Sequence, residues 1–383
     1  MIGYSGLWKR FIEVREKQAV PKLLLSLLRL ALLPLLWWKS RPSLVERALA
    51  DREYKCVALC REGIARVGVV QFRGRLVRSA PEYAQTMYEL VSRAVQGGAQ
   101  LVVFPEDTGS YPFGGFIPGI ERMAGRESAD SRKERLVGGD SPMAFLLGLL
   151  VPVSRRVHRT TFAILARRFG VFIVAGSGVA LDPAGLVCKI GYLYGPDGEL
   201  IGTQPKTHLY PAEVIWGLGH GDDVRVFDTA VGRIAFPICM DHTFFEPIRI
   251  AWLKGAEIVI DPAADAEAYD FWAQARGVWS RVQESSAYGI ACFMVGEMLG
   301  VSFGGRSGVY APLDMTENGN GVIVQAQTGD GEEILFADLD LEKLREYRRK
   351  HPLKFNLALY RRYLPKVYGQ YRESEIEGKR VMI

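Results

Sequence analysis

Three apolar, strand-like runs in this chain each deliver a single chemically active side chain. Arg233 to Arg249 reads RIAFPICMDHTFFEPIR, where the run Ile234 to Ile238 brings Cys239 to the point at which polar residues begin and a helical pattern takes over. Ala99 to Glu106 reads AQLVVFPE, a strand closed by a Pro that stops sheet pairing and ending in a carboxylate. Gln204 to Tyr210 reads QPKTHLY, with Lys206 following another strand-like run. A side chain at the end of a buried strand is held rigidly yet opens into a cleft, and the N–H groups of the next turn can face a developing oxyanion. On its own Cys239 would read as an inert core cysteine, because free cysteine is among the most buried residue types. A carboxylate, an ammonium and a thiol at three strand ends make a candidate catalytic constellation.

The stretches between these runs set the fold class. Val67 to Phe72 reads as a strand, Pro81 to Val95 as a helix ended by Gly97-Gly98, and Leu101 to Phe104 as the next strand. Asp107 to Gly125, rich in Gly, Pro and aromatics, is expected to be a pocket-side loop. Ser141 to Phe169 reads as helical with a break near Pro152, long enough to roof the pocket, and Val171 to Ala180 as a buried strand. Cys188 to Tyr194 and Glu199 to Thr203 form a hairpin across Gly-Pro-Asp-Gly. A helix is expected over Phe245 to Lys254, a strand over Glu257 to Ile260 and a long helix over Tyr269 to Tyr288. Further strands are expected at Ile290 to Val295, Gly308 to Ala311, Val322 to Gln327 and Glu333 to Asp338. Helices on two outer faces with sheets between them make an α/β fold, a four-layer αββα sandwich.

The 383 residues with 48% hydrophobic content are ample for a globular core. Five cysteines (Cys56, Cys60, Cys188, Cys239, Cys292) are an odd number without paired C-x-x-C spacing, so neither a disulfide framework nor a zinc ribbon is suggested and reduced cytosol is the expected compartment. Of the formal charge of +5, residues 1–61 carry twelve Lys and Arg against five Asp and Glu, or +7, which leaves −2 for the remainder. No nucleic-acid footprint is expected on that remainder. The basic extension, residues 1–63, contains Lys22 to Trp38, KLLLSLLRLALLPLLWW, too short and too charged to span a bilayer. Two readings stand for residues 22–38: a helix on an anionic membrane surface, giving peripheral association, or one packed on the catalytic domain or between subunits.

At this point the chain resembles the nitrilase, or carbon–nitrogen hydrolase, superfamily. The resemblance runs from about Ala65 to about Arg349 and rests on FPE ending at Glu106, K-x-H-L at Lys206, His208 and Leu209, and C-x-D-x-x-F-x-E-x-x-R at Cys239, Asp241, Phe244, Glu246 and Arg249. It implies the αββα sandwich over a catalytic domain at 64–350, a tail at 351–383 placed at a subunit interface, and a homodimer or higher oligomer. It implies Cys239 as nucleophile, Glu106 as general base, Lys206 with the backbone N–H of Met240 as oxyanion donors, and Glu213 as a second acid that holds the ammonium and helps protons move. The expected substrate is a small non-peptide amide or N-carbamoyl compound, with no cofactor, metal or nucleotide. Pro237 before the cysteine, and Asp107 where an apolar residue is usual, depart from the pattern.

Amide is preferred to nitrile because Asp241 stands two residues after the cysteine, although WG-x-G-H-G-D between Trp216 and Asp222 looks like a nitrilase segment. The same motifs also admit transfer of the acyl group to an amine, and a catalytically silent interaction module. His208 and His242 invite a Cys-His protease reading, but nothing in the chain has the long-range order those enzymes use.

Overall fold

The structure is a computed structural model that describes residues 32–55, 63–116, 142–181, 186–215, 217–352 and 355–369. Two compact units divide it, Met1–Leu344 and Arg345–Ile383.

The first unit is built on two sheets. In one, β1 (Ile64–Arg73), β2 (Leu101–Val103) and β3 (Phe172–Leu181) run parallel, and β4 (Val187–Tyr194) and β5 (Leu200–Pro205) continue it antiparallel. In the other, β7 (Gly232–Ala235), β8 (Ile258–Ala263) and β9 (Tyr288–Met298) run parallel, with β6 (Phe227–Thr229) antiparallel at one side. The short strands β10 (Val301–Phe303), β11 (Gly308–Tyr310) and β12 (Val322–Gln325) extend the β9 side antiparallel. The sheets meet where Phe72 and Arg73 pair with Met294 and Val295. β13 (Glu333–Asp340) returns to pair antiparallel along β1.

Period-2 alternation places Val67, Val69, Leu101 and Val103 of one sheet against Ile234, Ile258, Ile260 and Ile290 of the other, all completely buried. Outside the first sheet, α2 (Ala80–Gln96) and α3 (Pro142–Phe169) cover the opposite faces of the same strands through Tyr83, Met87, Leu90, Phe162 and Leu165. Ser79 caps α2 by accepting from the Glu82 N–H at 3.3 Å. Outside the second sheet lie α5 (Phe245–Leu253) and α7 (Val278–Ser285), through Ile248, Ala251, Val278 and Val282. The order helix, sheet, sheet, helix is the expected αββα sandwich.

Two local expectations are corrected. Pro152 does not break α3, which runs through it, because Val151, Val153 and Val157 on either side are buried and outweigh one lost backbone bond. Described side chains of α3 form the outer layer on β3 beside α2, and Val151 clusters with Leu209 and Leu218 of the segment after Lys206. The long helix over Tyr269 to Tyr288 is two short ones, α6 (Phe271–Ala275) and α7, interrupted at Arg276-Gly277, and Tyr288 already opens β9.

Residues 1–31, Cys56, Cys60, Trp216 and much of the loop after Asp107 lie outside the described residues. Of the extension, residues 32–39 are helical and lead into α1 (Pro42–Ala50). Leu36, Val45 and Leu49 are buried in the core under α2 and α3. Tyr54 packs edge-on against Phe169 at 4.9 Å, and Tyr88 Oη donates to the Glu53 carbonyl at 2.6 Å. The part of 22–38 that is described therefore packs on the catalytic body through Leu32, Leu33 and Leu36, while Leu35, Trp37 and Trp38 stay exposed. No described helix is long and apolar enough to cross a membrane.

α8 (Leu341–Lys350) begins in the first unit and ends in the second. The second unit also contains α9 (Leu357–Gly369), which carries exposed Leu357, Tyr360, Tyr363 and Leu364.

Candidate active site

Glu106, Lys206 and Cys239 follow the C-terminal ends of β2, β5 and β7. After β2 the chain turns sharply at Asp107, whose φ of 60° lies in the left-handed region. Gly176, at φ +65°, makes room for this turn, since a Cβ there would sit 1.9 Å from the Pro105 carbonyl oxygen. Ser177 Oγ accepts from the Asp107 N–H at 3.2 Å, and Tyr83 Oη donates to the Thr108 carbonyl at 3.0 Å. The glutamate is thus held from a neighbouring strand and from the helix layer.

Lys206 is almost fully buried and its ammonium donates to Glu106 Oε1 at 2.8 Å and to Glu213 Oε2 at 2.9 Å. Glu213, in the short helix α4 (Pro211–Ile215), also accepts from the Tyr210 N–H at 2.7 Å. Burial raises the Glu213 carboxyl, but Lys189 and Lys206 beside it outweigh that and hold it down at about 2. Burial likewise opposes the charge on Lys206, and the carboxylates and Cys239 around it raise its pKa above the ordinary lysine value. Lys206 is therefore a permanently charged ammonium in a nearly dry setting.

Cys239 opens a 3₁₀ turn, Cys239–Thr243, at φ 49°, a strained conformation for a residue with a Cβ. Its side chain is partly open, with Sγ 3.8 Å from Asp265 Oδ1. Desolvation by the surrounding protein, then the Glu106 charge, push the thiol well up against the opposing pull of Lys206. The resting group is a thiol and needs a base. Met240 follows directly at the start of the turn, where backbone N–H groups have no partner within a helical segment.

Asp241 joins the lysine segment to the cysteine turn. Its carboxylate accepts from the N–H groups of Thr207, His208 and Ile238 at 3.1, 2.7 and 2.9 Å and from Thr207 Oγ1 at 2.6 Å, with His208 Nδ1 at 3.0 Å. Burial works against the charge, yet these hydrogen bonds keep its pKa below the ordinary aspartate value. Both histidines are occupied elsewhere: His208 stacks on Phe244 at 4.1 Å, and His242 Nε2 bonds the carbonyls of Pro237 and Ile260 at 3.0 and 3.2 Å. Burial holds His242 neutral, down at about 4. Neither imidazole has Cys239 among its partners, which removes the support for a Cys-His arrangement. Arg249 reaches Glu284 of α7 at 3.8 Å.

Sequence reasoning missed four neighbours. Lys189 in β4 lies 3.2 Å from Glu106 Oε1 and 2.8 Å from Asp107 Oδ2, and also pairs with Glu213. A lone Lys between Cys188 and Ile190 in an apolar strand was the available signal. Asp261, buried in β8, accepts from the Cys239 N–H and is pushed well up by burial, then by the charges of Asp265 and Glu106. Asp265 is raised to about 6, first by burial and then by Glu106. Arg281 of α7 lies 4.1 Å over the Phe245 ring and donates to the His242 and Thr243 carbonyls, clamping the end of the turn. Among the described residues no group of three or more His, Cys, Asp and Glu is arranged to hold a metal ion.

The carbon-nitrogen hydrolase family model matches residues 66–349. The chain is similar to the nitrilase of Pyrococcus abyssi, 28% identical over 288 residues that cover 74% of this chain and 93% of that one. It is 34% identical over 194 residues to probable hydrolase YhcX of Bacillus subtilis, covering 49% of this chain and only 37% of that protein. The carbon-nitrogen hydrolase of Helicobacter pylori G27 superposes with a TM-score of 0.60 at 23% identity, over 79% of this chain and 99% of that one, a likeness of fold. With the family model spanning most of the chain and the αββα layers in place, the protein belongs to the carbon–nitrogen hydrolase family of the nitrilase superfamily.

Proposed function

We propose that this protein hydrolyses a small non-peptide amide or N-carbamoyl compound through a thioester on Cys239. The observation that carries this reading is the convergence of Glu106, a permanently charged Lys206 and the Cys239 thiol, the first two 2.8 Å apart. Glu106 takes the thiol proton as sulfur attacks the carbonyl carbon. The Lys206 ammonium and the Met240 N–H stabilise the oxyanion. Glu106 then gives the proton to the departing nitrogen, which leaves as ammonia or amine, and the acyl group remains on sulfur. Water attacks the thioester, Glu106 accepts its proton, and collapse releases the acid and returns the proton to Cys239. Glu213, held at about 2, anchors Lys206 and carries no proton in this scheme.

Nitrile hydrolysis is the second reading, favoured by the similarity to the Pyrococcus abyssi nitrilase over 93% of that protein. An amine intercepting the same thioester would make the protein an acyltransferase. Ammonia or amine release from matched amides, carbamoyl compounds and nitriles, with mass spectrometry of the Cys239 peptide, separates these. Amide turnover with an acyl adduct on Cys239, both lost in Cys239→Ala, is the expected result. Turnover by Cys239→Ala at the wild-type rate overturns the thioester mechanism.

A further inference from the structure

Lys206 alone does not balance the buried charge around it. Glu106 and Glu213 bring two carboxylates to one ammonium, and none of these side chains is more than 4% exposed. An uncompensated carboxylate in such a setting is costly and drifts toward its protonated form. Lys189, itself 5% exposed, enters from β4 and bonds the same two carboxylates, meeting Glu106 Oε1 at 3.2 Å. The four side chains thus close a ring in which two lysines alternate with two glutamates. Both ammonium groups bind Oε1 of Glu106, while Oε2 accepts no hydrogen bond among the described residues. Asp107 anchors Lys189 from outside the ring at 2.8 Å.

We propose that Lys189, held by Asp107, is a positioning residue for the reaction: it fixes Glu106 through one oxygen, sets a second positive charge beside it, and leaves the other oxygen open to the thiol or water proton. The inference rests on the reading of Glu106 as the general base. It deepens that reading, because it assigns the placing of the base to a second lysine outside the Glu106, Lys206 and Cys239 set. The field at Glu106 also includes Asp107 and Tyr111 on its own loop, Cys239, and Asp261 and Asp265 from β8 and beyond, with Glu213 across the two lysines. These others are acids or neutral, so Lys189 and Lys206 are the cations that oppose them. Burial pushes Asp107 up to about 6 against the pull of Lys189, so above that pH it adds a negative charge beside Glu106.

The test uses iodoacetamide, which requires no knowledge of the natural substrate. Cys239 Sγ displaces iodide to form an S–C bond, and the thiol proton passes to Glu106. Alkylation of the Cys239 peptide is followed by mass spectrometry from pH 4 to 9 in the full chain, with folding checked by thermal unfolding. Lys189→Gln removes a cation beside Glu106 and is expected to move the acid limb of alkylation up by about one unit, roughly tenfold in rate on that limb. Lys189→Arg keeps the cation and is expected to leave the limb near its wild-type position. A site that was merely loosened would move it in both variants. A folded Lys189→Gln with an unmoved limb, or a Lys189→Arg limb displaced as far as that of Lys189→Gln, overturns the inference. If Lys189→Gln does not fold, Lys189→Met, which keeps the apolar stem without the charge, takes its place with the same outcomes. Glu106→Gln distinguishes the underlying reading, since a wild-type acid limb in that variant means that Glu106 is not the base.

Discussion

Asp241 accepts hydrogen bonds from both the N–H and the hydroxyl of Thr207, at 3.1 and 2.6 Å, across a separation of 34 residues. The same carboxylate accepts from the Ile238 N–H directly before the nucleophile. One buried charge therefore sets the position of the lysine segment relative to the cysteine turn. Its role is structural, yet the site depends on it.

Asp241→Asn is expected to cost about 3 kcal/mol or more, because the amide turns one end from acceptor to donor among N–H groups and leaves buried donors unmet. Denaturant unfolding measures the loss. Activity per folded molecule should fall as well. A variant with near-wild-type stability would mean that the Thr207 and Ile238 donors find other acceptors.

Glu106→Gln and Lys206→Ala are each expected to lower turnover at least about a hundredfold, the scale of losing a general base or an oxyanion donor. Their stabilities should differ. Glu106, Asp107 and Glu213 outnumber Lys189 and Lys206, so removing one carboxylate relieves an excess of negative charge. Removing Lys206 worsens that excess and is expected to cost about 3 kcal/mol or more. Thermal unfolding of the two variants checks the ordering.

His158 supplies a pH prediction. Its Nε2 lies 2.9 Å from the Ala175 carbonyl, Nδ1 is buried without a partner, and burial lowers its pKa to about 4. The folded pKa lies below the unfolded value of about 6.5, so the unfolded chain binds the proton first. This group therefore removes stability as pH falls from about 6.5 to about 4, with a slope of at most about 1.4 kcal/mol per unit. His158→Phe should be less stable than wild type at pH 7.5, having lost the bond to Ala175, and the deficit should shrink by pH 5. Unfolding curves at the two pH values decide it, and a constant deficit would be the contrary result.

The membrane reading of residues 22–38 also makes a prediction. With Leu32, Leu33 and Leu36 turned to the core, Leu35, Trp37 and Trp38 are the described side chains left for a surface. Flotation of the full chain with anionic vesicles is expected to exceed that with neutral ones. Replacing both Trp37 and Trp38 by Ala should weaken binding about tenfold, the effect of roughly 1.4 kcal/mol of lost apolar contact. Equal flotation of wild type and variant would leave these residues as surface packing on the catalytic body.

Local sequence determined the strand runs, the end of each run at a reactive residue, and the capped start of α2. These depend on periodicity, Pro and Gly positions and capping, which neighbouring residues decide among themselves. The order of three motifs made Glu106, Lys206 and Cys239 legible as a set. Pairing across long separations was not legible: β13 returns to β1, and Lys189 from β4 reaches carboxylates 83 and 24 positions away in the chain. A lysine in an apolar strand looks the same in sequence whether it meets solvent or a buried acid. Only the pairing of strands within the first sheet decided that it closes a ring with Lys206: β4 lies beside β5 and the Lys206 N–H donates to the Lys189 carbonyl at 2.9 Å, and the cost of burying one charge is set by the charges that tertiary packing brings to it.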